Sequence, residues 1–160
     1  MATELDFNPV EFITIGTIGP KGQRVFHLQA GHEGRIISFI IEKEQAFALS
    51  EAIREVIDEL DERTDSETTV QMASMDMDLR EPIEPLFRIA QIGLAVEEGT
   101  EMIILIAQEL MTNDVEAEAG VVRMWCSREQ MYALAIQALA MYDAGRPEPK
   151  QNGRILYYWT

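Results

Sequence analysis

The sequence predicts an α+β fold of two tandem βββα units, at approximately 10–63 and 86–145. A pseudo-twofold relates the units, and antiparallel sheets pack with two main helices. Three observations carry this expectation. The segments EKEQAFALSEAI from Glu42 and SREQMYALAIQAL from Ser127 align, with Glu44 over Glu129, Gln45 over Gln130 and Leu49 over Leu134. Each is preceded by three short apolar runs separated by turn residues. One helix covers only one face of a sheet, so two such units are expected to share a single core. The whole chain, 1–160, is expected to be one domain, with a linker at 64–85 and an aromatic tail at 146–160.

The first unit opens with the run from Phe12 to Ile18, which alternates and is rich in β-formers. GPKG at 19–22 is a turn built from glycine and proline. QRVFHLQA at 23–30 is a second strand, with Val25 and His27 on one face and Phe26 and Leu28 on the other. GHEG at 31–34 turns the chain again, and RIISFII at 35–41 is apolar enough for a central strand. Turns this short imply an antiparallel meander. Ala46, Leu49, Ile53, Val56, Ile57 and Leu60 then form one helical stripe, while Glu51, Glu55, Asp58, Glu59 and Glu62 face water.

The second unit repeats this order, with strands at 86–96, 101–110 and 120–126 and an acidic loop at 111–119. The helix from Arg128 to about Ala144 has strong end signals. Ser127 is a good N-cap, Gln130 completes a capping box, and Gly145 and Pro147 stop the helix. This helix is nearly uncharged from Gln130 to Tyr142, so it wants burial on more than one side. Either the tail RILYYWT or a second copy of the chain is expected to supply the cover. In the linker, VQMASMDMDL reads as a short or bulged strand, ended by Pro82 and Pro85.

The composition bounds the function. Apolar residues make up 47% of the chain and charged residues 26%, which is globular, not disordered. No apolar run reaches the length of a membrane span, and no basic segment leads into an apolar one, so a cytoplasmic protein is expected. Twenty-eight acids against 13 Lys and Arg give a net charge of −15, which repels phosphate backbones and anionic membranes. The lone Cys126 rules out an internal disulfide and a cysteine-based zinc cage within one chain.

The segments FITIGTIGPKGQRVFHLQA, GRIISFIIEKEQAFALSEAI and LFRIAQIGLAVEEGTEMIILIAQEL, with the late helix ending AGRP, resemble an uncharacterised bacterial family, DUF3090. They cover about two-thirds of the chain in the family's order. Members of that family continue past GRP with closely spaced cysteines and a histidine, like a small zinc knuckle. This sequence departs there: it reads GRPEPKQNGRILYYWT, so no zinc role carries over. The resemblance implies no activity.

Candidate sites are few. Arg88 and Arg123 interrupt strands in an acidic chain, where they either pair with acids or meet an anionic ligand. Trp125 shares the face of Arg123 by alternation, and tryptophan beside arginine can hold a nucleobase. These three residues are the expected ligand-binding set. Cys126 lies one residue before an N-cap, where a thiolate is stabilised, yet it reads first as a buried thiol. His27 and His32 lack the spacing of a metal motif, and Asp76 and Asp78 share a face if their segment is a strand. GTIGPKG and GHEG match no phosphate-binding pattern and read as hairpin turns. No catalytic set, metal site or cofactor is expected.

Three function classes follow. The first is a non-enzymatic binding or assembly module acting through protein–protein contacts, by its sheet surface or its second helix, as a homodimer or with another protein. The second is an enzyme or small-ligand binder with a pocket between the units. The third is single-stranded nucleic-acid binding on a layout like that of the PUR and Whirly families. The acid excess makes nucleic acid an unlikely partner unless Arg24, Arg88 and Arg123 line one positive groove.

Overall fold

The computed structural model describes residues 3–111 and 118–144. The tail expected at 146–160 and much of the acidic loop at 111–119 lie outside the described residues. In chain order the elements are β1 (Glu4–Phe7), β2 (Phe12–Ile18), β3 (Val25–His32), β4 (Arg35–Ile41), α1 (Lys43–Thr64), a 3-10 turn (Met72–Ser74), β5 (Pro85–Val96), β6 (Ile103–Glu109), β7 (Val121–Cys126) and α2 (Arg128–Ala144). The fold is α+β, as the sequence predicts.

The strands form one mixed sheet in the order β1-β7-β6-β5-β4-β3-β2, not two antiparallel ones. The meanders β2-β3-β4 and β5-β6-β7 are antiparallel, as their short turns require. They join through β4 and β5, which run parallel; α1 and the linker that follows it carry the chain from the end of β4 to the start of β5. β1, which the sequence reading missed, adds to β7 in parallel. Val10 N then donates to Trp125 O (2.9 Å) and Glu11 N to Gly31 O (2.7 Å). Residues 10 and 11 therefore tie the two ends of the sheet together.

Both helices lie on the same face of the sheet. Alternation places Ile13, Ala30 and Ile37 in one row and Ile15, Leu28 and Phe39 in the next. Leu105 with Met124 and Ala107 with Val122 continue this face, and all ten are buried. α1 contributes Ala46, Leu49, Ile53, Ile57 and Leu60, and α2 contributes Met131, Leu134, Ala135 and Ala138. Each fully buried Leu or Ile contributes about 1.5–3 kcal/mol. α2 packs against α1 on one side and along β2 on the other. That accounts for its apolar composition within a single chain. Ser127 and Gln130 form the expected capping box (Gln130 N to Ser127 Oγ 3.0 Å, Ser127 N to Gln130 Oε1 2.9 Å). At α1, Gln45 Oε1 accepts from Glu42 N at 2.7 Å.

The linker contains the 3-10 turn and no strand, which corrects the expected bulged strand. Its two alternating runs are out of step because the segment lies over the outer face of β2 and β3 without joining the ladder. Thr14 Oγ1 donates to Met77 O. Gln29 donates from Nε2 to Arg80 O (2.6 Å) and accepts at Oε1 from Arg80 N (2.7 Å). Leu79 sits so close to Gly16 that a Cβ there would lie 2.7 Å from its Cγ. Thr14, Gln29 and Ser38 are consequently buried polar residues with partners.

Gln29→Leu keeps the volume but leaves both backbone groups of Arg80 without their partner. We expect a loss of about 2–4 kcal/mol in chemical denaturation, with faster amide exchange at Arg80. A loss below about 0.5 kcal/mol would mean that the linker is held by something else.

Candidate functional site

The three predicted ligand-binding residues do not converge. Arg123 and Trp125 share the outer face of β7, as alternation requires. Arg123 donates to Asp6 Oδ1 (2.8 Å) and Glu4 Oε1 (3.5 Å) on β1, and the bond to Asp6 raises its already high pKa. Trp125 Nε1 donates to Glu97 Oε2 at 2.9 Å. Hydrogen bonds from Thr100 and then Trp125 hold the Glu97 carboxyl below its ordinary value. Arg88 pairs with Glu42 at the start of α1. Register puts Arg123 opposite Ile106 and Ile106 opposite Gly93, five residues along β5 from Arg88. That separation is about 16 Å along the strand. Arg88 and Arg123 thus each pair with an acid.

Arg24, Lys43 and Arg88 do line one cavity, but Glu42 and Glu44 line it too and Arg123 is elsewhere. The continuous positive groove that single-stranded nucleic acid needs is not formed by these residues. Arg128, for which no motif or spacing suggests a role, joins α2 to α1 and to the β5–β6 turn. It donates to Asp61 Oδ1 (2.9 Å), Thr64 Oγ1 (3.0 Å) and Glu101 Oε1 (3.0 Å). Burial alone would raise the Asp61 carboxyl; bonds from Thr68 and Arg128 outweigh it and hold the group low.

Cys126 is a fully buried core side chain, and burial pushes its thiol far above the ordinary value. Its Sγ contacts Met124 O at 3.5 Å. Asp76 and Asp78 are not on a strand; Asp76 Oδ1 accepts from Asp78 N at 3.2 Å. His32 Nδ1 bonds Pro9 O at 2.6 Å. His27 is buried under the linker, and its Nδ1 has no partner among the described residues. Among the described residues no three His, Cys, Asp or Glu side chains gather as a metal site.

The feature with a shape suited to a ligand is a groove of about 600 Å³ between α1 and β5. Its α1 wall includes Ala48, Ala52, Glu55 and Val56, and its β5 wall Ala90, Gln91, Ile92 and Leu94. β4 pairs with β5 only as far as Arg88, while β6 follows β5 to Val96. Beyond Arg88, then, β5 is a strand with one edge unpaired among the described residues. The Gln45 side chain reaches only the first carbonyls of that edge, at Ile89 (3.1 Å) and Ala90 (3.2 Å). The end strand β2 is treated differently: α2 lies along its edge, and Gln137 Nε2 donates to Ile15 O at 3.3 Å. One signal in the sequence could have found the groove. The expected strand at 86–96 is longer than the one at 35–41, so it outruns any neighbour of that length.

The buried His27 offers a test of this part of the structure. Burial lowers its pKa from 6.5, so the native state holds it neutral while the unfolded chain takes up a proton. Stability is therefore full above about pH 6.5 and falls as pH drops below it. The stability difference between the natural chain and His27→Gln should shrink from pH 7.5 to pH 5.5 in urea titrations. Parallel curves would show that His27 is solvated.

No helix among the described residues is long and apolar enough to cross a membrane. No curated protein and no solved structure matches the chain. The family described as "Protein of unknown function (DUF3090)" matches residues 5–154, nearly the whole chain. The chain belongs to the DUF3090 family.

Proposed function

We propose that the chain is a non-enzymatic binding or assembly module, working in the cytoplasm, that takes an extended segment of a partner protein into the groove between α1 and β5. The observation that carries this reading is the unpaired edge of β5 bordering an apolar groove. Backbone N–H and C=O groups along such an edge pair with an incoming strand, and alternate side chains of that strand fill the groove. Ala48, Leu49, Ala52, Val56, Ile92 and Leu94 favour apolar side chains there.

The same reading takes the molecule as two βββα repeats about a pseudo-twofold. Ser50 and Ala135 occupy matching positions, and Ser50 Oγ donates to Ala135 O at 3.0 Å, as expected where a twofold brings equivalent residues together. Gln45 and Gln130 also match. Gln45 donates to Ile89 O and Ala90 O within β5, and Gln130 to Val10 O (3.2 Å) just before β2. The junctions β4–β5 and β7–β1 are both parallel. On this relation Ala52 matches Gln137. Where α2 has a side chain that closes the edge of β2, α1 has one too short to reach β5. The groove is then the open version of a contact that the other repeat has closed.

A random-peptide library displayed against the protein tests the proposal. Enriched peptides should alternate apolar residues and lose at least tenfold in affinity against Ala52→Gln and Leu94→Lys. The variant Ile106→Ser, on the outer face of the sheet, should bind them unchanged. Peptides indifferent to both groove variants, or no enrichment at all, would remove the groove from consideration.

A further inference from the structure

We infer that the segment taken by the α1–β5 groove is cationic as well as apolar: an extended stretch of a partner protein whose alternate apolar side chains fill the groove and whose Lys or Arg meets Glu55. This rests on the reading of the groove as a strand-binding site and adds which strands it accepts.

From Ile89 to Val96 the β5 edge reads IAQIGLAV, with no charged residue and no proline. Open strand edges are ordinarily guarded by such residues or by a covering element. Both end strands of this sheet are guarded: α2 covers β2, and β1 carries Glu4 and Asp6. Along β5 the charge stands across the groove instead, on α1.

α1 sorts its charges by side. Lys43 Nζ lies 5.3 Å from the Tyr142 ring and Arg54 Cζ 5.8 Å from the Tyr132 ring, so both cations face α2. Arg63, in the last turn, pairs with Glu59 at 3.7 Å. The groove wall holds Glu55 and no cation. Glu55 is exposed and forms no ion pair among the described residues. Glu59 follows one turn later on α1, and the β5 wall runs on to the exposed Glu98.

The geometry also places the cation along the incoming strand. The two walls start together at Gln45, whose side chain already bonds Ile89 O and Ala90 O. β4 holds the β5 edge as far as Arg88, so a new strand pairs from Gln91 onward and runs away from Gln45. Glu55 lies about 15 Å from Gln45 along α1, the length of roughly four or five residues of strand. Apolar side chains of the strand therefore meet Leu49, Ile92 and Leu94, and the basic residue follows at the far end. The stem of a Lys or Arg there lies along Val56 while its head reaches Glu55.

A carboxylate on the rim attracts such a strand and repels acidic ones. Another copy of this chain, at a net charge of −15, is among those repelled. An uncharged edge can then stay open without pairing with itself, and the sign of the charge selects the partner as much as the apolar fit does.

Peptides selected from a random library on the natural chain should alternate apolar residues and carry Lys or Arg at one fixed distance from them. Binding of such a peptide should weaken roughly threefold against Glu55→Gln and roughly tenfold against Glu55→Lys. Glu33→Lys makes the same change of net charge in the β3–β4 turn and should leave binding unchanged. Selection on Glu55→Lys should return Asp or Glu at the position of the basic residue. Alternating apolar peptides without a charge preference, or a preference that survives Glu55→Lys, overturn the inference and leave the groove as a binding site. Peptides indifferent to Ala52→Gln and Leu94→Lys as well, or no enrichment at all, remove both. In sedimentation of the natural chain, self-association that Ala52→Gln abolishes overturns the inference in favour of a second copy as the occupant.

Discussion

The contact between α1 and α2 at Ser50 and Ala135 is the constraint on which the rest of the structure depends. Small residues there let two helices share one face of one sheet, and the Ser50 hydroxyl meets a backbone carbonyl of its neighbour inside the core. With both helices on that face, the sheet must wrap around them, and its two ends meet at residues 10 and 11. A larger side chain at either position would push the helices apart and lift α2 from β2. The apolar composition of α2 follows from the same geometry, because a helix held between another helix and a strand edge has little surface left for water.

The outer face of the sheet is handled asymmetrically. Over β2 and β3 the linker seals a row of polar side chains, Thr14, Gln29 and Ser38, each with a partner. Buried polar rows of this kind stabilise little in net terms but cost much when broken, so they fix where the linker lies. Over β6 and β7 the face instead presents Ile104, Ile106, Arg123 and Trp125, all half-buried. Charge follows a similar economy. Arg88, Arg123 and Arg128 each pair with carboxylates, so the excess acid serves partly as an internal counter-charge.

Much of this was legible in the sequence. The six strands of the two meanders, both helices, the capping box at Ser127 and Gln130 and the shared face of Arg123 and Trp125 follow from periodicity and end signals. The way the strands assemble does not. A meander with short turns says nothing about which of its edges joins the next meander, and β1 is four residues whose only strand signal is its partner β7. The path of the linker was hidden because its alternation mimics a strand while the backbone groups of Met77 and Arg80 bond Thr14 and Gln29. The groove was hidden for a related reason: it depends on β5 outrunning β4 and on the shortness of Ala52, and neither means anything until the strands are placed side by side.

β1 pairs with β7, and the bond from Arg123 to Asp6 spans 117 positions of sequence. On the ribosome the first strand emerges long before its mate exists. β1 has no native edge to join until the end of β7 has cleared the exit tunnel, so the sheet cannot be completed before then. Contacts this distant slow folding, because the entropy of closing the loop is lost before any pairing compensates it. A newly made chain must therefore keep Leu5 and Phe7 from straying onto other chains until β7 is in place.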